Sequence, residues 1–158
     1  MISSPNSSSN LAAPDRTRRL AVRVVLLDSA SSVLLLSTRD ASNPDFGISW
    51  ELPGGGMVPQ ESVAETAVRE IREETGLRQS LSDVSTPLWR RDVLYTYRGE
   101  RRLQHEEICV ARISALAPRI DAAEREWIIC TMAGGGWMNC ARRKSDSIRA
   151  ACHYTSMR

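Results

Sequence analysis

The stretch Gly54–Leu77, GGGMVPQESVAETAVREIREETGL, constrains this chain more than any other. Three glycines lead into a segment whose Val63, Ala64, Ala67, Val68 and Ile71 recur at helical spacing. Pro59 is placed to enter the first turn, and Gly76 follows as a natural C-cap. At about 100° per residue, Glu70, Glu73 and Glu74 fall one turn apart on one helix face. Three like charges that close destabilise a bare helix and raise one another's proton affinity. A bound divalent cation reverses that penalty, and hard carboxylate oxygens suit Mg²⁺ or Mn²⁺, which also bridge substrate phosphates. The plainer alternative is an amphipathic helix whose Glu/Arg face is simply solvated. The glycine loop, Glu61 and Gly76, all in register with the acids, weigh against it.

Arg69 stands four residues before Glu73 and can pair with it on the helix surface. Glu70 and Glu74 flank the apolar stripe, so they are expected to point toward a pocket floor. Gly54, Gly55 and Gly56 permit backbone geometries closed to other residues and bring peptide groups close to a ligand. Glu61 points away from the other acids by helical phase and reads as support for the loop–helix junction. His105 reads as structural, and Trp89, Trp127 and Tyr95, as lone aromatics, read as core residues although each could stack on a base.

Gly55, five residues, Glu61, seven residues, then Arg69-Glu70-Ile71-Arg72-Glu73-Glu74-Thr75-Gly76-Leu77: this spacing resembles, without a gap, the signature of the Nudix hydrolases. The resemblance implies an α/β Nudix fold, a mixed β-sheet sandwiched between α-helices. It implies hydrolysis of a nucleoside diphosphate linked to another moiety, first of all a (d)NTP cleaved to a nucleoside monophosphate and pyrophosphate. ADP-ribose or a nucleotide sugar is the alternative substrate, and a catalytically silent nucleotide-binding regulator the alternative function. By the same resemblance Glu70, Glu73, Glu74 and the Gly55 carbonyl hold Mg²⁺ or Mn²⁺, and Arg69 orients Glu73. Glu106 or Glu107, in Gln104-His105-Glu106-Glu107, could supply a further carboxylate; ordinary loop charge is the competing reading.

A net charge of +2 is too small to imply a nucleic-acid partner, and no apolar run approaches the ~18 residues of a membrane span. No nucleic-acid or membrane partner is therefore expected, and the resemblance implies a small nucleoside diphosphate derivative as the partner. Residues 1–16, rich in Ser, Asn and Pro, read as a disordered tail without the apolar centre of an export signal. Cys109, Cys130, Cys140 and Cys152 show no metal-type spacing and read as reduced thiols of a cytoplasmic protein.

Residues 17–128 read as the Nudix domain. Leu20–Leu27 and Val33–Ser37 are expected strands joined by the turn-rich Asp28–Ser32, Arg39–Gly47 a loop, and Trp50–Leu52 a short strand. Leu88–Tyr97 and Cys109–Ile113 are expected to pair across a turn at Arg98–Arg102. Residues 129–158 form a divergent tail. Trp137-Met138-Asn139-Cys140 must be encoded TGG ATG AAY TGY; read two nucleotides later, that DNA spells Asp-Glu-Leu, a tripeptide found near the C-terminus of similar Nudix proteins. The tail therefore reads as a frameshift product that has lost a closing helix.

Overall fold

The computed structural model describes residues 19–39, 47–97, 100–120, 126–133, 137–144 and 147–150. The expected N-terminal tail, most of the Arg39–Gly47 loop, the tip at 98–99 and residues 151–158 lie outside them. Four strands come first: β1 (Arg19–Leu27), β2 (Ser32–Arg39), β3 (Ile48–Glu51) and β4 (Gly54–Gly56). Helix α1 (Val63–Thr75) and a single 3₁₀ turn at Leu81–Asp83 follow. Then come β5 (Trp89–Tyr97), β6 (Glu100–Arg112), β7 (Trp127–Ala133), β8 (Trp137–Lys144) and β9 (Ser147–Ala150). All strands belong to one mixed sheet of order β5-β6-β1-β2-β7-β8-β9, with β3 on β2 and β4 on β1. The β1–β6 pair is parallel and the other pairs are antiparallel.

The β1–β2 connection is set by Asp28, whose carboxylate accepts from the amides of Ala30 and Ser32 at 2.9 and 2.8 Å. Such a local side-chain bond replaces a backbone turn and lets Ser31 sit at φ 59°. Strand β6 begins nine residues before the expected Cys109, because its charged half finds partners on β5. Arg90 faces Glu107, Arg91 faces Glu106 and Asp92 faces His105 in direct register. Cross-strand pairs of opposite charge hold a strand that lacks apolar residues to mark it.

Helix α1 starts at a capping box rather than at Pro59. Ser62 Oγ accepts from the Glu65 amide, and Glu65 accepts from the Ser62 amide at 2.7 Å. It ends as expected at Gly76, in the left-handed region at φ 69°. Its buried stripe is Thr66, Ala67, Ile71 and Thr75; the threonines are admitted because Thr66 donates to Glu61 and Thr75 to the Ile71 carbonyl. The stripe packs on Val22, Val24, Leu26, Leu34, Leu36, Cys109 and Ala111, one face of the sheet. On the opposite face Val25, Leu35, Ile108 and Val110 are half-buried and lie outside that core. The α/β class holds, with one α-helix among the described residues, although Ala21, Glu106, Ile128 and Cys130 on the opposite face are buried too.

Beyond Trp127, β7 pairs with β2 from Leu36↔Trp127 to Ser32↔Thr131, and β8 and β9 extend the sheet. Cys109 is a buried free thiol whose pKa burial pushes up, whereas Cys130 is disulfide-bonded. That pairing corrects the reading of four reduced thiols. The side chain of Cys140 and all of Cys152 lie outside the described residues. Trp89, read as core, is 56% exposed at the head of edge strand β5, while Trp127 packs half-buried against the core. Among the described residues no helix is long and apolar enough to cross a membrane.

Candidate active site

Strand β4 is made of glycine for a steric reason. It pairs with β1 in the register Ala21↔Gly56, Val22↔Gly55, Arg23↔Gly54, and α1 crosses close above it. Gly54 has φ 144°, and a Cβ there would meet the Val22 carbonyl oxygen at 2.0 Å. A Cβ on Gly55 would come within 2.4 Å of the Glu70 carboxylate. The absent side chain leaves a cradle that Glu70 occupies, so loop and helix acid fit as a pair.

The other residues of the signature close around this contact. Glu74 accepts from the Gly54 amide at 2.8 Å. Arg69 grips Glu61 with both edges of its guanidinium, Nε to Oε1 at 2.8 Å and Nη2 to Oε2 at 3.0 Å. It also donates to Glu70 at 2.7 Å and to the Gly56 carbonyl at 3.0 Å. Its contact with Glu73, the pairing expected from sequence, is the longest at 3.3 Å. Glu61 further accepts from Thr66 at 2.8 Å and from the Val58 amide at 3.4 Å. The Arg69 hydrogen bonds, ahead of those from Thr66 and Val58, hold the Glu61 carboxyl down at a pKa of about 2. They push the Arg69 pKa upward in turn. Glu61 precedes the N-cap Ser62, so helical phase does not place it; its contacts tie Arg69 to the loop–helix junction.

Glu73 is 59% exposed. It lies beside a groove of about 580 Å³ lined by Glu65, Val68, Arg69, Arg72, Glu73 and Leu81. Among the described residues no three acidic, histidine or cysteine side chains converge closely enough to hold a metal ion. The reason is visible in the contacts: Glu70 is turned to Arg69, Glu74 to the Gly54 amide, and Glu73 to solvent. The donor set of carboxylate and carbonyl oxygens around the Gly55 cradle nevertheless fits a hard divalent cation.

The two later carboxylates point to opposite faces of the sheet. Glu107 lies in the Gly55–Val22–Glu107 row, on the α1 side, and pairs with Arg90 at 3.0 Å. His105 Nδ1 is 2.6 Å from Asp92 on that same side. Glu106 lies on the other face, 1% exposed. Burial pushes its pKa up, but hydrogen bonds from Arg23 and Arg91 outweigh this and leave it below the ordinary glutamate value. Arg23 was missed by the sequence reading. Its signal is visible in retrospect: it is the one charge interrupting the apolar run Ala21–Leu27.

The NUDIX domain matches residues 17–138, so the chain belongs to the Nudix family. A Bacillus subtilis protein named as a candidate 8-oxo-dGTP diphosphatase is 42% identical over 59 residues, 37% of this chain and 36% of that one. The nucleoside triphosphatase NudI of Salmonella paratyphi B is 43% identical over 58 residues, 36% of this chain and 41% of its own length. The Xenopus laevis m7GpppN-mRNA hydrolase NUDT17 is 38% identical over 88 residues, 54% of this chain and 30% of that protein. In each case less than half of the relative's length is spanned. Among solved structures, a MutT/nudix family protein from Enterococcus faecalis superposes with a TM-score of 0.53 at 25% identity. That likeness covers 83% of this chain and 50% of the other.

Proposed function

We propose that the protein is a metal-dependent hydrolase that cleaves the pyrophosphate linkage of a nucleoside diphosphate derivative, with a (d)NTP as first substrate. The observation that carries this reading is the seating of Glu70 in the Gly55 cradle while Glu74 holds the Gly54 amide. A surface helix with a merely solvated charge face has no reason to lock its acids onto a strand built of glycine. Nucleoside triphosphatase NudI, by its name, favours the triphosphate among the possible substrates.

Glu70, Glu73, Glu74 and the Gly55 carbonyl would hold Mg²⁺ or Mn²⁺. When bound, the ion supplies Lewis-acid stabilisation of the charge that develops on phosphate oxygens, and it raises the acidity of attacking water. The chain's own residues do the rest. Glu61 anchors Arg69, and Arg69 keeps Glu70 over the glycine strand. Glu73, exposed beside the groove, is free to swing toward a ligand. A carboxylate of this set, or Glu107 on the same sheet face, accepts the proton of water.

Phosphate release from a panel of nucleoside triphosphates, ADP-ribose and dinucleoside polyphosphates, with and without Mg²⁺, tests the reading. Pyrophosphatase or phosphatase serves as the coupling enzyme. Metal-dependent turnover of a triphosphate is the expected result, and ADP-ribose turnover would shift the substrate. Nucleotide binding without turnover by the folded protein would replace the hydrolase with a silent regulator.

A further inference from the structure

We propose that Arg23 and Glu106, on the sheet face opposite α1, are positioning residues that fix the Gly54–Gly55 peptide at the metal-and-phosphate end of the site. The proposal rests on the hydrolase reading above and adds a support that reaches the site through the sheet.

Gly54 is clamped from both sides. Its amide donates to Glu74 of α1 at 2.8 Å, and its carbonyl accepts from Arg23 Nη1 at 3.0 Å. That carbonyl belongs to the peptide joining Gly54 to Gly55, so its direction sets where Gly55 presents its own peptide groups. Glycine offers little resistance of its own to peptide rotation. The direction must be imposed from outside, and Arg23 is the side chain that imposes it. The same Nη1 lies 3.4 Å from the Leu52 carbonyl, and Nη2 lies 3.5 Å from Glu51. One planar guanidinium therefore registers β1 against the whole β3–β4 connection.

A guanidinium on a flexible stem holds a direction only if it is held in turn. Arg23 Nε donates to Glu106 Oε1 at 3.0 Å. Glu106 is fixed by Gln104 at 2.7 Å on the same oxygen and by Arg91 on the other. The carboxylate is buried and accepts from three side chains, which leaves it little freedom to rotate. The chain of contacts runs Arg91 and Gln104, Glu106, Arg23, Gly54, Gly55. Lysine cannot replace Arg23 here, because it carries a point charge where a fixed fork with several donors is needed. Glu106 is thereby assigned to support of the glycine strand; Glu107, on the α1 face, is the later carboxylate that remains for a ligand.

The alternative is an ion-pair cluster that stabilises the fold and nothing more. Arg23→Lys and Glu106→Gln separate the two, read by Mn²⁺ binding (paramagnetic resonance of free Mn²⁺), Mg²⁺ titration of turnover, and thermal unfolding. Both variants are expected to bind Mn²⁺ about tenfold or more weakly, as loss of an outer support of a metal site does. The Mg²⁺ concentration for half-maximal turnover should rise by the same factor, with substrate KM at saturating metal nearly unchanged. The double variant should lose little more than either single one, because both act along one path. Variants that melt earlier yet bind Mn²⁺ like the wild type would overturn the proposal. If Arg23→Lys does not fold, Glu106→Gln, close in shape to the native residue, carries the test alone. A wild-type protein with neither Mn²⁺ binding nor turnover would remove the hydrolase reading, and this proposal with it. Wild-type binding matched by both variants would remove this proposal only.

Discussion

The two faces of the central sheet are built from the same strands and yet differ in almost everything else. Under α1, Val22, Val24, Leu26, Leu34 and Leu36 are 0–1% exposed and meet Ala67 and Ile71 of the helix. On the reverse, Val25, Leu35, Ile108 and Val110 are half-buried, Ala21, Ile128 and Cys130 are buried, and a carboxylate is buried among arginines. The helix side thus draws its stability from apolar burial and carries the chemical groups. The reverse side holds the glycine strand in place from behind through charge-assisted hydrogen bonds. A strand's alternation lets one sequence serve both purposes, since successive residues face opposite ways.

The largest expected contrast is in turnover. Glu74→Gln or Glu73→Gln should lower it by about a thousandfold, the several kcal/mol that metal-assisted charge stabilisation supplies, and leave the circular dichroism spectrum intact. Leu35→Ala, on the reverse face, should leave turnover within a factor of a few. Retained activity in both glutamate variants would remove the functional distinction between the faces.

Stability should show the next contrast. Ile71→Ala empties the space under the helix and should cost about 2–5 kcal/mol in urea unfolding, whereas Leu35→Ala should cost about 1 kcal/mol from its half-exposed site. Equal losses would mean that the reverse face is packed as tightly as the other. A third test asks whether that face has lost a cover. We propose that residues 129–158 derive from a shifted frame; a gene restored to the frame that spells Asp-Glu-Leu should then raise the unfolding midpoint. No gain, with the present frame intact in the resequenced gene, would count against the frameshift.

The smallest effect is a pH dependence on the helix side. Glu61 titrates at about 2 in the folded protein against an ordinary 4.5. A depressed folded value means the unfolded chain binds protons first as pH falls. The Arg69–Glu61 contribution is therefore complete above about pH 4.5 and is lost between about 4.5 and about 2. Glu61→Gln should flatten the unfolding midpoint across that window, and an unchanged slope would place the acid sensitivity elsewhere.

The difference between the faces also explains what the sequence disclosed. The helix and its acids were legible because local periodicity and spacing encode them, and Gly76 ends the helix where expected. The capping box at Ser62 and Glu65 is written in the sequence but was not read, the helix entry being taken from Pro59 alone. Thr66 and Thr75 were hidden because a polar type masks burial when the hydroxyl is satisfied locally. The first half of β6 could not be recognised alone, since its charges make sense only opposite those of β5. Arg23 and Glu106 are the extreme case: each is an ordinary charge until the parallel β1–β6 pairing brings them together. Trp89 shows the converse, an aromatic whose type suggests a core and whose edge position leaves it 56% exposed.

That parallel pairing has a consequence for how the protein is made. Arg23 and Glu106 are 83 residues apart in the chain. At about 5–20 residues per second on the ribosome, β1 waits roughly 4–17 s before the carboxylate that fixes its arginine exists. Helix α1, closed by local bonds, can form within that interval, but the strand it must cover is still missing its parallel neighbour. The half of the molecule that bears the signature is therefore written early and completed late, and a nascent chain stalled between Leu77 and Glu106 would carry the whole signature without its backing.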